Sequence, residues 1–338
     1  MLDIMQILEE KKKIIWPELM KYIPEKEPKL HYKMVRDYPE RGGKYLRGGL
    51  VLIGCEAFGG DWKKAVRTAA AMEASQNWVL IHDDIEDEST QRRGKPALHK
   101  IYGTGLALNA GDALHLIMWQ MLADNAGILG EKKTLEIINE MAKILTIVAE
   151  GQTIEMQFIV EKKFDKTEQD YYKIVDAKSG MYTTTGPLKL GAIVAGAKPE
   201  QLKVIEEFGT PWGRAFQIQD DVLNLAAGKE WGKAIGDDIL EGKLTLILIH
   251  LLKTCTSQEK KKIVEIYKKS HDVKTGEDVL FVLDLMNKYG SIEYAKKKSL
   301  EFAAQSKKIF DSKFTFLKEG PAKDALRATI DFVAKRKF

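Results

Sequence analysis

The 338-residue sequence predicts an all-α protein, one domain over 1–338 built as a single large bundle of about a dozen helices. Three observations predict it. Apolar residues recur at helical spacing along nearly the whole chain. Alternating runs bounded by turn residues do not recur, and no internal repeat is present. Proline is scarce at 9 residues, where a share of roughly 5% is usual, while Leu, Ala, Glu and Lys, all good helix formers, are abundant. With 44% hydrophobic residues there is ample apolar surface to bury, which excludes disorder as the main state.

Taken in order, Gly42-Gly43-Lys44-Tyr45-Leu46-Arg47 opens a helix. Asp61 is an N-cap for a helix over 62–88, roughly 40 Å long at 1.5 Å per residue. Helical periodicity continues over 105–128, 132–160, 166–184, 199–208, 212–226 and 244–254, with Gly209-Thr210-Pro211 read as a break. The C-terminal third is more charged, with helices over 257–270, 277–288, 291–310 and 321–335. Pro321 after Gly320 suits a first helical turn. The connections are short and marked by Gly or Pro, so nothing resembling a linker divides the chain.

A net charge of +4 is too mild to imply a nucleic-acid partner. Cys55 and Cys255 are the only cysteines, which excludes a disulfide framework and points to a reducing, cytoplasmic setting. The most apolar stretch, 244–252, is interrupted by His250 and falls short of the ~20 residues of a transmembrane span. The N-terminus mixes Asp3, Glu9 and Glu10 with three lysines and does not read as a signal peptide.

The sharpest local feature is His82-Asp83-Asp84-Ile85-Glu86-Asp87-Glu88, at the end of the long helix. Asp83 and Asp87, four apart, share one face. Carboxylates there repel one another and sit where the helix dipole disfavours anions, unless a positive charge occupies the site. A second pair, Asp220-Asp221, lies among Phe216, Val222, Leu223 and Leu225 on a helix that is mostly buried, and buried carboxylates need partners. Alone, the first cluster is as readily a solvated face or a helix salt-bridge network; the second is less so, because its apolar neighbours imply burial. Together they suggest a hard cation such as Mg²⁺, which takes oxygen ligands and is often completed by phosphates. Zinc fits less well, since no HExxH or CxxC spacing exists. Basic residues complement the acids: Lys44 and Arg47, Arg92-Arg93-Gly94 directly after the first cluster, Lys178 beside Ser179-Gly180, and Gly242-Lys243. Arg offers bidentate phosphate contacts and Lys a point charge.

These residues together resemble the trans-type polyprenyl (isoprenyl) diphosphate synthases. The pattern is Gly43-Lys44-x-x-Arg47, then Asp83-Asp84-x-x-Asp87 with Arg92-Arg93-Gly94. Gly213-x-x-Phe216-Gln217-x-x-Asp220-Asp221 and Gly236-x-Asp238-x-x-Glu241-Gly242-Lys243 complete it. The resemblance implies an isoprenoid synthase-like helical fold around a deep central cavity, usually a homodimer. It also implies condensation of isopentenyl diphosphate with an allylic diphosphate. On this resemblance Asp83, Asp84, Asp87 and Asp220, with Asp221 and Asp238 nearby, would hold two or three Mg²⁺ ions. Arg92, Lys178 and Lys243, with Lys233 as an addition, would hold the allylic diphosphate. Lys44, Arg47, Gln76 and Arg93 would hold isopentenyl diphosphate, and Gln217, Ser179 and Tyr182 would line the reacting centre.

The chain departs from the pattern at Asn224, where many members have Asp; amide replaces charge there. A class I terpene cyclase shares the fold and the first motif, but its second motif carries a Ser or Thr and then a Glu, and it binds one diphosphate rather than two. A non-catalytic partner subunit would tend to lose these carboxylates and arginines. A His-Asp phosphohydrolase would need further metal-binding histidines. Product length follows, by the same resemblance, from bulky residues four or five positions before Asp83. These are Val79, one turn away on the same face, and Trp78 on the flank. The first motif lacks a two-residue insertion seen in many bacterial short-chain members. A product of fifteen to twenty carbons is expected, with twenty favoured; a longer chain is the alternative.

Overall fold

The computed structural model describes residues 3–226 and 236–335. It is all-α. Its helices are α1 (Ile4–Tyr22), α2 (Lys29–Glu40), α3 (Leu46–Ala57), α4 (Val66–Glu86), α5 (Leu98–Tyr102), α6 (Thr104–Ala123), α7 (Ala126–Leu129), α8 (Glu131–Glu161) and α9 (Glu168–Val175). After a π-helical segment (Asp176–Thr185) come α10 (Gly186–Ala195), α11 (Pro199–Ala226), α12 (Asp237–Glu241), α13 (Leu246–Thr254), α14 (Ser257–Lys268), α15 (Gly276–Lys288), α16 (Ser291–Lys313) and α17 (Pro321–Lys335). The only strands among the described residues are the two-residue pair β1 (Gln91–Arg92) and β2 (Lys95–Pro96).

Local chemistry accounts for the boundaries. Asp61 accepts from the Lys63 amide and starts a short 3₁₀ turn that runs into α4. Thr167, Thr256 and Thr275 form capping boxes with Asp170, Glu259 and Asp278 at the starts of α9, α14 and α15. The helices α1 and α2, unassigned from the sequence, bury Ile4, Leu8, Ile15 and Leu19, and Met34, Val35 and Tyr38. These spacings of three, four and seven make one apolar stripe.

Two sequence expectations are corrected. The helix expected over 166–184 is interrupted: α9 ends at Val175 and the chain continues as a π-helix to Thr185. The break expected at Gly209-Thr210-Pro211 is absent, and α11 runs unbroken from Pro199 to Ala226 with Pro211 inside it. The glycines in this stretch serve contact rather than termination. A Cβ on Gly213 would lie 2.3 Å from Gly180 Cα, so α11 and the π-helical segment meet backbone to backbone.

The helix α4 packs against α6, α3 and α1; α11 packs against α16 and the π-helical segment, which also packs on α8. A cavity of about 550 Å³ opens between α3, α4, α8, α9, the π-helical segment and α11. Among the described residues, no helix is long and apolar enough to cross a membrane.

Candidate active site

The cavity takes its charge from helix ends and its apolar wall from helix middles. From α4 come Gln76, Trp78, Val79, Asp83 and Glu86; from α8, Leu145, Val148, Gln152 and Glu155; from the π-helical segment, Lys178, Ser179, Tyr182 and Thr183. Lys178 and Tyr182, four apart, share one face of this segment, and both line the cavity. Phe216, Gln217, Asp220, Asp221 and Asn224 line the wall from α11.

The carboxylates and cations interlock. Lys178 Nζ lies 3.1 Å from Asp83 and 2.6 Å from Glu155. Lys243 Nζ lies 2.8 Å from Asp87 and 2.6 Å from Glu241. Burial alone would raise the Asp83 pKa, but Lys178, Lys243 and Arg92 outweigh it and hold the carboxyl well below its usual range. Burial, with Asp83 and Glu241 beside it, pushes Asp87 up to about 7 despite Lys243. Asp221 is likewise pushed up to about 7, by burial and the Asp220 charge, although Gln217 and Tyr171 donate to it, each at 2.7 Å. The Ser179 hydroxyl donates to Gln217 Oε1, which fixes the amide between the π-helical segment and α11.

Asp84, expected among the metal carboxylates, faces away from the cavity. One residue on from Asp83, it is turned about 100° and is fully buried. There it accepts from Arg92 Nε at 2.9 Å and from the Tyr38 hydroxyl. Arg92 itself lines the cavity, so the Asp84 charge holds the guanidinium in place. The Arg93-Gly94 turn between β1 and β2, with φ of 53° and 73°, aims the two arginines differently. Arg93 donates to Tyr38 O at 2.7 Å and to Asn77 Oδ1 at 3.2 Å. Arg47 donates to Thr183 Oγ1 at 2.6 Å and sits over the Tyr182 ring. Gln76 faces the cavity with a buried Oε1 that has no hydrogen-bond partner. Lys44 is exposed ahead of α3 and is not part of the cavity wall. Lys233 lies outside the described residues.

Asn224 has a local explanation. Its Oδ1 accepts from the Asp238 amide at 3.2 Å, and its carbonyl accepts from the Gly236 amide at 3.0 Å. The side chain thus ties the end of α11 to α12 and Asp238. Asp at this position retains the acceptor, whereas Leu removes it. Asn224→Asp is therefore expected to leave the apparent Mg²⁺ requirement unchanged, and Asn224→Leu to weaken activity; a titration of rate against Mg²⁺ for both variants checks this.

Glu155, Gln152 and Glu86 were not singled out from the sequence, yet all three line the cavity, and Gln152 donates to Glu86 at 2.6 Å. For Glu155 a signal existed. Met141, Ile144, Val148, Gly151, Glu155 and Phe158 recur at spacings of three and four, so this carboxylate sits on the inward stripe of α8.

The donor set fits a hard divalent cation. Asp83, Asp220, Asp221 and Glu155 offer oxygen from three helices around one cavity. Among the described residues no three such side chains converge on one point.

The polyprenyl synthetase model matches residues 28–285, a span holding every site residue above. A short-chain isoprenyl diphosphate synthase of Methanothermobacter thermautotrophicus is 30% identical over 337 residues, 99% of each chain. A geranylgeranyl diphosphate synthase of Sulfolobus acidocaldarius is 34% identical over 275 residues, 81% of each chain. The crystal structure of geranylgeranyl pyrophosphate synthetase from Pyrococcus horikoshii superposes with a TM-score of 0.86 at 34% identity, covering 98% of each chain. With the paired carboxylate helices and the cations between them already in register, these matches lead to one conclusion: the chain belongs to the polyprenyl synthetase family.

Proposed function

We propose that this protein is a single-domain, Mg²⁺-dependent short-chain trans-prenyltransferase. It condenses isopentenyl diphosphate with an allylic diphosphate to a product of fifteen to twenty carbons, twenty favoured. The observation that carries the reading is a cavity lined together by Asp83 of α4, Asp220 and Asp221 of α11, and Arg92, Lys178 and Lys243.

When bound, two or three Mg²⁺ ions held by Asp83, Asp87 and Asp220, with Asp221 adjacent, would neutralise diphosphate charge as the allylic C–O bond breaks. Arg92, Lys178 and Lys243 supply fixed positive charge to the departing oxygens. Gln217 and Tyr182 face the allylic carbon that becomes cationic, Gln217 with a carbonyl oxygen and Tyr182 with its ring. Arg47, Arg93 and Gln76 hold isopentenyl diphosphate so that its double bond meets that carbon. The new C–C bond forms, and the C2 proton leaves to an oxygen of the departing diphosphate, so no separate side-chain base is needed. The wall of Val79, Leu145, Val148 and Phe216 excludes water from the cation and receives the tail.

A homodimer belongs to this reading. The helix α6 leaves Leu106, Leu108 and Leu116 exposed, Leu116 by 68%, apolar surface that a second copy would cover in part. A cytoplasmic setting agrees with two free cysteines, one of them buried.

The two diphosphate subsites are expected to separate by mutation. Arg47→Ala should chiefly raise the KM for isopentenyl diphosphate, and Lys178→Ala the KM for the allylic substrate. Lys44→Ala tests the exposed lysine and should show the smaller effect. Steady-state kinetics with each substrate varied in turn decides; equal effects of Arg47→Ala and Lys178→Ala on both substrates would contradict the assignment.

A further inference from the structure

We propose that His115 is a positioning residue for product length: it fixes the Trp78 indole across the apolar end of the cavity, so a ring relay between α4 and α6 sets where the tail stops. This rests on the reading of the cavity as the tail site.

Trp78 lines the cavity five residues before Asp83, about 7.5 Å along the helix axis. Two residues grip its ring through three contacts. The His115 imidazole stacks on it, centroids 4.1 Å apart and planes 13° apart. Its Nε1 donates to His82 Nδ1 at 3.2 Å. The His82 ring stands edge-on to it at 5.9 Å and 80°. His115 is held in turn, since its Nε2 accepts from Trp119 Nε1 at 2.8 Å. That bond places the proton of a neutral imidazole on Nδ1, and burial, holding the His115 pKa below its ordinary value, keeps the ring neutral.

The backbone is shaped to this contact. A Cβ on Gly111 would lie 2.4 Å from His82 Nε2 and 3.4 Å from Trp78 Cδ1, so α6 closes directly onto the pair. His115 does not line the cavity. It lies behind Trp78 and acts on the tail only through the indole. A tail that reaches Trp78 can lengthen only if the ring swings aside. With His115 stacked on its face and His82 holding its N–H, the ring has no such freedom.

The test is the product distribution from isopentenyl diphosphate and an allylic primer in Mg²⁺, for wild type, Trp78→Ala, His115→Ala, His115→Gln and His115→Phe. His115→Ala is expected to raise the share of products one isoprene unit longer by about 2- to 10-fold, the scale of one aromatic contact. His115→Gln keeps an acceptor for Trp119 but loses the ring face, and should lengthen products as well; it carries the test if the alanine variant does not fold. His115→Phe restores a stacking face and should restore the wild-type distribution. A general loss of packing would slow the enzyme without this pattern of rescue. Unchanged products from His115→Ala and His115→Gln, beside longer products from Trp78→Ala, would overturn the relay. Unchanged products from all variants of an active enzyme would overturn it too. A wild-type chain that makes no prenyl diphosphate would instead defeat the underlying reading, and the proposal with it.

Discussion

Replacing Asp83 with alanine is expected to lower turnover by on the order of 10²–10³-fold, the scale of removing one preorganised charge contact at a developing anion, while the helical fold persists. Fold and function separate here because the lysine left behind is not orphaned. Lys178 keeps Glu155 at 2.6 Å when Asp83 is gone. Asp220→Ala should behave alike, as it removes the opposing carboxylate of α11. Removal of divalent cation with EDTA should match either substitution in wild type. Circular dichroism alongside single-turnover rates checks both halves of the claim. Full activity in EDTA, or in either variant, would contradict the site.

Arg92→Ala carries the second large effect, and it falls on stability as well as rate. Asp84 is fully buried, and Arg92 is its cationic partner. Removing one member of a buried pair leaves an uncompensated charge, which costs about 3–5 kcal/mol. Tyr38, whose hydroxyl also donates to Asp84, offsets part of this. Arg92→Lys keeps the charge but not the planar fork, and should fall between. Denaturant unfolding of the three proteins measures the difference. The same experiment separates two roles for Asp84. If it were a metal ligand, Asp84→Asn would chiefly raise the Mg²⁺ requirement; turned toward Arg92 and Tyr38, it should chiefly lose stability. An Arg92→Ala variant as stable as wild type would contradict the buried pair.

The helical class and most of the acidic and basic constellation were legible in the sequence, because side chains four apart on a helix must share a face. That logic gathers Asp83 with Asp87, and Gln76 with Asp83. It also separates Asp84 from them, by the 100° per residue that spacing alone already implies. What was not legible depends on tertiary contact. Gly209-Thr210-Pro211 reads locally as a helix end, yet α11 continues through it, because Gly213 meets the backbone at Gly180 and the packed helix tolerates Pro211. The π-helical turns at 176–185, packed against α8 and α11, are likewise a product of tertiary contact. Glu155 is a single carboxylate on the apolar stripe of α8, with no adjacent acid to mark it in the sequence. Asn224 looks like a weakened metal ligand until its bond to the Asp238 amide shows it tying two segments together.

The central claim is that the carboxylates of α4 and α11, with the cations between them, ionise an allylic diphosphate and join it to isopentenyl diphosphate. The most direct test incubates the purified protein with labelled isopentenyl diphosphate and each of the five-, ten- and fifteen-carbon allylic primers, in Mg²⁺ and in EDTA. The account predicts label in an all-trans prenyl diphosphate of fifteen to twenty carbons, mainly twenty, in Mg²⁺ alone. Cyclic hydrocarbon from the fifteen- or twenty-carbon allylic diphosphate, or no consumption of isopentenyl diphosphate with any primer, would contradict it.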